Sequence, residues 1–288
     1  MSQKIAQTQN LLRELARYYK EVDLAEVDRV LAAEKSNFKF GSQLVGNLMN
    51  YEGRIATFYW MILTKIFNKL HPEFHFTKRG SKSYSWNMNA SDEVNALLNY
   101  GYAILESEIR KDINAIGLDP TIGFLHELTI SKTPLVYDIQ ELVRWLVDMS
   151  VLQILEEKKL RKSDFIVTEN YHMRLKEATA KILIEKISLN FNRAANYKAK
   201  MHTYENILLD NVQQLANFII GKRNDLQAIP LMKIPRTDLL ELQQKILTMS
   251  PAERKRLGIN KSTLWYEKKH LAEGKKIKVY RKVMSQLS

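Results

Sequence analysis

The spacing of apolar residues is the feature that most constrains what this chain can fold into. Apolar residues recur mostly at intervals of three and four, as in the segment 212 to 221, VQQLANFIIG, which ends at a glycine. This is the period of an amphipathic helix, and the alternation that is typical of strands is scarce. We therefore predict a mainly α-helical chain. The predicted helices span about residues 2 to 19, 24 to 35, 51 to 69, 92 to 116, 136 to 157, 172 to 193 and 200 to 220.

Size and charge limit the class of protein and of partner. With 288 residues, of which 45% are hydrophobic, the chain can bury a packed core. Its net charge of +12 favours polyanionic partners, of which nucleic acid is the commonest. Cysteine is absent, which excludes disulfides, thiolate nucleophiles and cysteine-ligated metal sites. The sequence has no signal core and no stretch of ~20 apolar residues, so we predict a soluble, intracellular protein.

A change in charge marks a second domain near the C-terminus. After Pro230 and Pro235 the composition becomes strongly basic. Residues 236 to 288, the basic module, carry 13 Lys and Arg against 5 Asp and Glu, which is two thirds of the net charge of the chain. We predict a helical, metal-dependent domain over residues 1 to 235 and a DNA-binding domain over the basic module.

Helix-breaking residues predict two short helices within the basic module. Ser250 and Pro251 indicate the start of one helix and Gly258 its end, and a second helix is expected from about Ser262 to Gly274. The basic, strand-like segment KKIKVY follows. Two short helices and a strand predict a small helix-turn-helix or winged-helix-like fold.

Basic and aromatic residues interleave in this module, a combination that suits phosphate contacts and base stacking. The candidate DNA-binding residues are Lys261, Trp265, Lys268, Lys269, Lys275, Lys276 and Lys278. The alternative is a solvated helix face on which Trp265 belongs to a small core. DNA binding and a small core are both possible if Trp265 stabilises the module while the lysines face DNA.

Two connectors between the predicted helices carry histidines. The segment 71 to 91, HPEFHFTKRGSKSYSWNMNAS, is typical of a surface loop or short hairpin with solvent-facing histidines. It is not a zinc helix of the metalloprotease kind, because Pro72 stands where that pattern needs glutamate. In the second connector, glycines and a proline between 117 and 123 interrupt helix formation and keep His126 outside a helix.

Asp138 and Glu141 form the most informative pair of acids. They lie three residues apart, and so on one face of a predicted helix whose other residues are mostly apolar. Burial of two carboxylates is costly unless a cation compensates. Oxygen ligands with one imidazole, from His126, suit Mg²⁺ or Mn²⁺. A hydrogen-bonded core histidine and a solvated acidic face are the alternatives, and Glu52 is either a third ligand or an acid favoured by a helix N-terminus.

Six segments of the chain occur in the order in which a known family has them. They are YEGRIATFYW, DEVNALLNYGYAILESEI, GLDPTIGFLHE, PLVYDIQELVR, VDMSVLQIL and MRLKEATAKILIEKI. This pattern resembles the CRISPR-associated integrase of the adaptation module, and the resemblance runs from about Gln7 to Gly221. It implies a multi-helix catalytic domain of the CRISPR integrase type.

In that family a metal is held by the glutamate of the Glu-Gly segment, the histidine of the Gly-Phe-x-His segment and the acid that opens the following helix. A second acid follows three residues later. The resemblance therefore implies that the catalytic and metal-binding residues are Glu52, His126, Asp138 and Glu141, and that the cofactor is Mg²⁺ or Mn²⁺.

The resemblance also implies DNA contacts beside the pocket. Arg79 matches a basic position of the family and is expected to contact a phosphate. Arg54 and Lys78 are further DNA-binding candidates. Tyr100 and Tyr102 belong to a family signature that packs near the site, although core packing explains them equally well.

The function implied is the insertion of short DNA, a spacer, into a CRISPR array by transesterification from its 3′-hydroxyl ends, with DNA cleavage by the same site. The implied partners are double-stranded donor and target DNA, further copies of the chain in a homodimer or higher homo-oligomer, and the small second protein of the adaptation module. A prokaryotic cytoplasm is the implied location. The alternatives are a casposase-like transposase with the same site and a DNA-binding protein without catalysis.

The chain departs from the family pattern in two places. The usual member begins with a small β-rich domain that forms much of its dimer interface, whereas this chain begins almost directly at the helical domain, as a truncation or a minimal integrase would. The second departure is the basic module, residues 236 to 288. Casposases carry a comparable C-terminal addition, so we predict that the module recognises target DNA.

Overall fold

The computed structural model of the protein is mainly helical, as predicted. It describes residues 2–16, 18–37, 45–79, 90–126, 133–157, 160–169, 172–226, 228–230, 246–256 and 258–272. The α-helices are α1 Ser2–Leu15, α2 Leu24–Asn37, α3 Val45–Leu70, α4 Glu93–Ile116, α5 Pro134–Gln140, α6 Trp145–Glu156, α7 Glu177–Phe191, α8 Tyr204–Ile219, α9 Pro251–Arg256 and α10 Lys261–Ala272. Among the described residues, no helix is both long and apolar enough to cross a membrane.

The central helix is α4, which packs against α5, α6, α7 and α8. It begins where the Asp92 side chain accepts a hydrogen bond from the amide of Asn95, at 2.8 Å, and ends at Gly117 in a left-handed conformation. One face of α4 is nearly free of solvent contact, and its apolar residues are Val94, Leu97, Leu98, Tyr102, Leu105, Ile109 and Ile113. Burial of this stripe provides most of the reason for the helix to form.

At Gly101, α4 lies very close to two neighbouring helices. A Cβ atom placed there would lie 2.5 Å from Cγ1 of Val147 on α6 and 3.3 Å from Cδ1 of Ile187 on α7. Both neighbouring side chains are themselves buried, so a side chain at this position would clash with them. The three helices therefore approach closely because residue 101 is glycine.

The predicted helix over 136 to 157 is wrong in one respect, because two helices occupy this region. α5 ends at Gln140 and α6 begins at Trp145, with a turn over residues 141 to 144. In the turn the amides of Leu142 and Val143 donate to carbonyls three residues back, at 3.0 Å each, so the backbone is wound more tightly than an α-helix. The apolar period continues through the turn, which is why the sequence gives no sign of it.

Two short hairpins replace the starts of two predicted helices. β1 (Phe165–Val167) pairs antiparallel with β2 (Met173–Leu175), and β3 (Ala194–Tyr197) pairs antiparallel with β4 (Lys200–Thr203). Residues 172 to 176 and 200 to 203 are therefore not helical, contrary to the prediction. The second hairpin turns through Lys198 and Ala199, which both have positive φ, 53° and 61°. Hairpin turns with two positive φ angles usually contain Asn-Gly or Gly-Gly, and this sequence has Lys-Ala at these positions.

The prediction that both histidines of the segment 71 to 91 face solvent is wrong for His71. This side chain is 4% exposed and stacks on Phe74 with a centroid distance of 4.6 Å. Its ring nitrogens contact Oε1 of Glu73 at 2.7 Å and the carbonyl of Leu155 at 3.0 Å. Pro72 starts a short 3-10 turn that folds the chain back, and so the histidine is directed towards α6. His75 is exposed, as expected.

In the basic module, α9 and α10 confirm the two predicted helices. Ser250 and Glu253 form a reciprocal capping box at the start of α9, with bonds of 3.1 and 3.2 Å between each backbone amide and the other side chain. Gly258 follows α9 with a φ of 60°. The domain boundary near residue 235, the predicted helix end at Gly274 and the segment KKIKVY lie outside the described residues. A helix-turn-helix or winged-helix-like fold for this module stays a prediction.

The close helix contact at residue 101 gives a first test. We expect Gly101→Ala to lower the free energy of unfolding by about 1–2 kcal/mol, because overpacking costs about 1–3 kcal/mol and the helix propensity of alanine offsets only about 1 kcal/mol. The matched control is Gly53→Ala on α3, where a Cβ would have no atom within 4 Å. This control should be neutral or stabilising. Urea unfolding followed by circular dichroism measures both, and equal effects would contradict the close contact.

Candidate functional site

His126 lies within the connector between α4 and α5. The connector packs directly on the first turns of α5, since a Cβ on Gly123 would lie 2.5 Å from Cβ of Pro134 and 2.8 Å from Oδ2 of Asp138. Glycine is required at this approach because any side chain would separate the connector from the helix. The structure thus confirms that His126 lies outside a helix, and it places the histidine against α5.

The carboxylate of Asp138 collects four hydrogen bonds from the connector. The amides of Phe124 and Leu125 donate to Oδ2, the second at 3.1 Å. The amide of His126 donates to Oδ1 at 3.2 Å, and Nδ1 of His126 lies 2.6 Å from the same oxygen. The side chain of Asp138 is only 6% exposed, whereas that of His126 is 31% exposed. Asp138 therefore fixes both the backbone of the connector and the orientation of the imidazole.

The electrostatics of this pair follow from its hydrogen bonds. The hydrogen bond with Asp138 raises the pKa of His126, although burial acts in the opposite direction. The negative charges of Asp138, Glu141 and Glu52 raise this pKa further. Burial alone would raise the pKa of Asp138, but the bonds from His126 and from the backbone amides lower it. Because an ionised carboxylate only accepts, Nδ1 carries the proton and Nε2 is the nitrogen that remains for another ligand.

Glu52 and Glu141 lie at one cleft between α1, α3, the turn after α5, and α6. The residues that line this cleft are Gln7, Thr8, Leu11, Glu52, Ile55, Ala56, Tyr59, Trp60, Glu141, Arg144, Trp145 and Asp148. Both glutamates are half-buried. Their charges act on the imidazole of His126, so the four predicted residues surround one region of the molecule.

The predicted ligand set is not assembled as a metal site. Within the described ranges, no group of three or more His, Asp and Glu side chains is arranged to hold a metal ion. Asp138 faces the imidazole and the connector amides, and Glu141 is paired with Arg144 at 2.6 Å. The chemistry of the donors nevertheless fits Mg²⁺ or Mn²⁺, because two carboxylates and a carboxylate-oriented imidazole are ligands that such ions accept.

The three basic residues predicted beside the pocket have different surroundings. Arg79 is half-buried, donates to Oδ1 of Asn95 at 2.9 Å and stands 5.2 Å from the ring centroid of Tyr102. Its Nε is buried without a hydrogen-bond partner in the structure. Lys78 is exposed. Arg54 is exposed and bonded to Glu34 of α2.

In the basic module the structure corrects the role of Trp265. Its side chain is 58% exposed, so it does not belong to a small core. Among the described residues from 246 onward, the buried apolar side chains are those of Ile246, Met249 and Ile259. Trp265 packs edge-on against Tyr266, and Nζ of Lys269 lies 5.5 Å from its ring centroid. Lys261 is also exposed, and Lys268 donates to the carbonyl of Leu247 at 2.7 Å. The candidates Lys275, Lys276 and Lys278 lie outside the described residues.

Sequence reasoning missed three residues at the bottom of the cleft. Tyr59, Arg144 and Asp148 line it, and Asp148 is 5% exposed. A lone acid in the otherwise apolar run VDMSVLQIL was the available signal, because a buried carboxylate needs partners. Arg144 could have been found by its spacing, because it follows Glu141 by three residues and so can pair with it on one helical face.

Comparison with known proteins decides the family. A sequence model described as "CRISPR associated protein Cas1" matches residues 1–188, which is more than half of the chain. The chain belongs to the Cas1 family. This confirms the resemblance that the six sequence segments indicate.

Several Cas1 relatives are similar over much of the chain. The CRISPR-associated endonuclease Cas1 1 of Archaeoglobus fulgidus is 26% identical over 232 residues, which cover 76% of this chain and 66% of that protein. A solved casposase bound to integration product is 31% identical, with a TM-score of 0.67 over 78% of this chain and 63% of that chain. A Cas6-RT-Cas1–Cas2 complex shares the fold, at 21% identity and a TM-score of 0.61 over 77% of this chain and 23% of that chain. The chain spans about half to two thirds of the length of the curated relatives it matches.

The contact between His126 and Asp138 gives a second test. Asp138→Asn should lower the pKa of His126 towards its ordinary value, because the hydrogen bond with the carboxylate is the largest cause of the increase. The measurement is a pH titration of the histidine resonances by NMR, with His126→Gln used to assign the signal. An unchanged pKa of His126 would refute the described pairing.

Proposed function

We propose that this chain is a divalent-metal-dependent DNA integrase and endonuclease of CRISPR adaptation, which inserts short DNA into a CRISPR array by transesterification from a 3′-hydroxyl. The observation that carries the proposal is the pairing of the buried Asp138 carboxylate with the half-buried His126, whose pKa is also raised by the charges of Glu52 and Glu141. Membership of the Cas1 family and the endonuclease name of the relative from Archaeoglobus fulgidus support it.

In this proposal Glu52, His126 and Glu141 hold Mg²⁺ or Mn²⁺. Asp138 has its oxygens occupied by the imidazole and the connector amides, so we assign it the role of orienting His126. When bound, such an ion polarises the scissile phosphate and neutralises charge that develops on the phosphorus.

The residues of the chain contribute positioning and charge. Asp138 keeps the proton on Nδ1 of His126 and so presents Nε2 in a fixed direction. We assign Arg79 a contact with a phosphate oxygen, because its guanidinium lies 5.2 Å from the centroid of the Tyr102 ring beside the cleft. The nucleophile determines the outcome: a 3′-hydroxyl joins DNA, and water at the same position cuts it.

The proposed partners are donor and target DNA, a second copy of the chain and a small adaptation protein of the Cas2 type. The +12 net charge and the name of the Cas1–Cas2 complex among the structural neighbours support DNA and the protein partner. A casposase-like transposase is the second candidate, because the solved casposase is 31% identical to this chain. Donor DNA that must carry specific terminal repeats would favour the transposase, and acceptance of any short duplex would favour spacer insertion.

The function itself is tested by DNA joining. We expect the chain with Mn²⁺ or Mg²⁺ to join a short duplex with free 3′-hydroxyls to a supercoiled plasmid, and His126→Ala to abolish joining while DNA binding is retained. Gel analysis of covalent products measures the reaction. The matched control is His75→Ala, since His75 is exposed and has no role in the proposal. Joining by His126→Ala at the level of the unchanged protein would rule out the site.

The basic module is proposed to bind target DNA through Trp265, Lys261 and Lys269. We expect Trp265→Ala to weaken binding by about 1–3 kcal/mol through lost base stacking. The double variant Lys261→Ala, Lys269→Ala should reduce the slope of log K against log salt by roughly 2, through two lost phosphate contacts. Fluorescence anisotropy over a salt series measures both effects. The control is Lys181→Ala, an exposed lysine of α7 paired with Glu177, and an identical effect of this control would remove the role assigned to the module.

A further inference from the structure

A buried carboxyl group that the proposed chemistry does not use lies at the bottom of the cleft. Asp148 on α6 is 5% exposed and accepts hydrogen bonds from two tyrosine hydroxyls. The hydroxyl of Tyr59 donates to Oδ2 at 2.8 Å, and the hydroxyl of Tyr102 donates to Oδ1. Burial and the neighbouring carboxyl group raise the pKa of both tyrosines, so both remain protonated donors. Asp148 thus connects α6 with α3 and with α4.

The first connection leads to Glu52. Tyr59 follows Glu52 by seven residues on α3, two turns further along, so the two side chains lie on the same face of the helix. Both line the cleft. The hydrogen bond between Tyr59 and Asp148 therefore fixes the face of α3 that carries Glu52 relative to α6.

The second connection leads to Glu141. Nη1 of Arg144 donates to Oε1 of Glu141 at 2.6 Å, and the guanidinium lies 4.5 Å from the ring centroid of Tyr102. Asp148 follows Arg144 by one helical turn, and its amide donates to the carbonyl of Arg144 at 3.2 Å. Charge attraction between Asp148 and Arg144 adds to this contact. The turn that carries Glu141 is therefore linked to the same buried carboxyl group through Arg144 and the Tyr102 ring, whose hydroxyl donates to Asp148.

We propose that Asp148 is a positioning residue, which sets the separation of Glu52 and Glu141 through Tyr59 on one side and Arg144 on the other. This inference rests on the proposed function, in which the two glutamates hold the metal. Two carboxylates that face one cleft repel each other, and helices that pack only through apolar side chains slide more easily than helices joined by directional hydrogen bonds. A buried polar network costs stability relative to apolar packing, and a defined geometry at the site is the gain that explains it here.

Tyr59→Phe is the variant that tests the inference, because it removes one hydroxyl and keeps the ring. Asp148→Asn is the second variant, since it changes the acceptor itself. The matched control is Ser150→Ala, which breaks the 2.8 Å bond from Asn190 to a fully buried hydroxyl of the same helix, α6, away from the cleft. Urea unfolding measures the loss of stability in each protein, so that positioning is separated from general destabilisation.

Two measurements report on positioning. The first is the affinity for Mn²⁺, followed by electron paramagnetic resonance of the free ion. We expect Tyr59→Phe and Asp148→Asn to weaken it about 10–100-fold, in the range found for residues that orient metal ligands, and excess Mn²⁺ to restore DNA joining. The second is hydrogen exchange of the amides of residues 141 to 144 in metal-free protein, which should accelerate in the same variants. Ser150→Ala should change neither.

The two measurements separate failure of this inference from failure of the proposed function. Mn²⁺ affinity and hydrogen exchange equal to those of the unchanged protein in Tyr59→Phe would overturn the role of Asp148, as would equal effects of Ser150→Ala. If the unchanged protein binds no Mn²⁺ while exchange still accelerates selectively in Tyr59→Phe, the positioning role stands and the metal-dependent function fails.

Discussion

The carboxylate of Asp138 is the interaction on which the candidate site depends. It accepts hydrogen bonds from three backbone amides and from the imidazole of a connector whose described residues, 117 to 126, have no regular secondary structure. Hydrogen bonds to a charged group contribute about 1.5–3 kcal/mol each, so this one side chain supplies much of the order of the connector. Gly123 makes the approach possible because it brings the backbone directly onto α5. The direction of His126 follows from both residues.

The acids of the site are balanced from two sides. His126 hydrogen-bonds Asp138 at the connector, and the guanidinium of Arg144 compensates the charge of Glu141. The guanidinium of Arg144 lies over the Tyr102 ring, and this cation–π contact helps to fix its position beside Glu141. These contacts explain how an apolar region of the molecule tolerates several carboxyl groups.

The sequence predicted the helices and the acids, whereas the details that depend on backbone hydrogen bonding were missed. The sequence predicted His126 and Asp138 as ligands of one metal ion, whereas their direct pairing was not predicted. The turn at 141 to 144 could not be predicted, because its apolar spacing equals that of a continuous helix. The turn at Lys198 and Ala199 lacks glycine, and the burial of His71 depends on its contact with Leu155, which is distant in sequence. The metal site itself stays a prediction.

The distribution of charge shows why binding and chemistry would occupy different surfaces. Residues 1 to 235 carry 31 Lys and Arg against 27 Asp and Glu, whereas the basic module carries 13 against 5. A cleft lined by Glu52, Glu141 and Asp148 repels a phosphate backbone unless a cation intervenes. In the proposed function, the affinity for DNA therefore comes from cations outside the cleft. The largest excess of Lys and Arg lies in the basic module, where the aromatic rings of Trp265 and Tyr266 are exposed. In the proposed function, an acidic cleft that binds a metal ion thus needs a separate basic surface that binds the phosphate backbone.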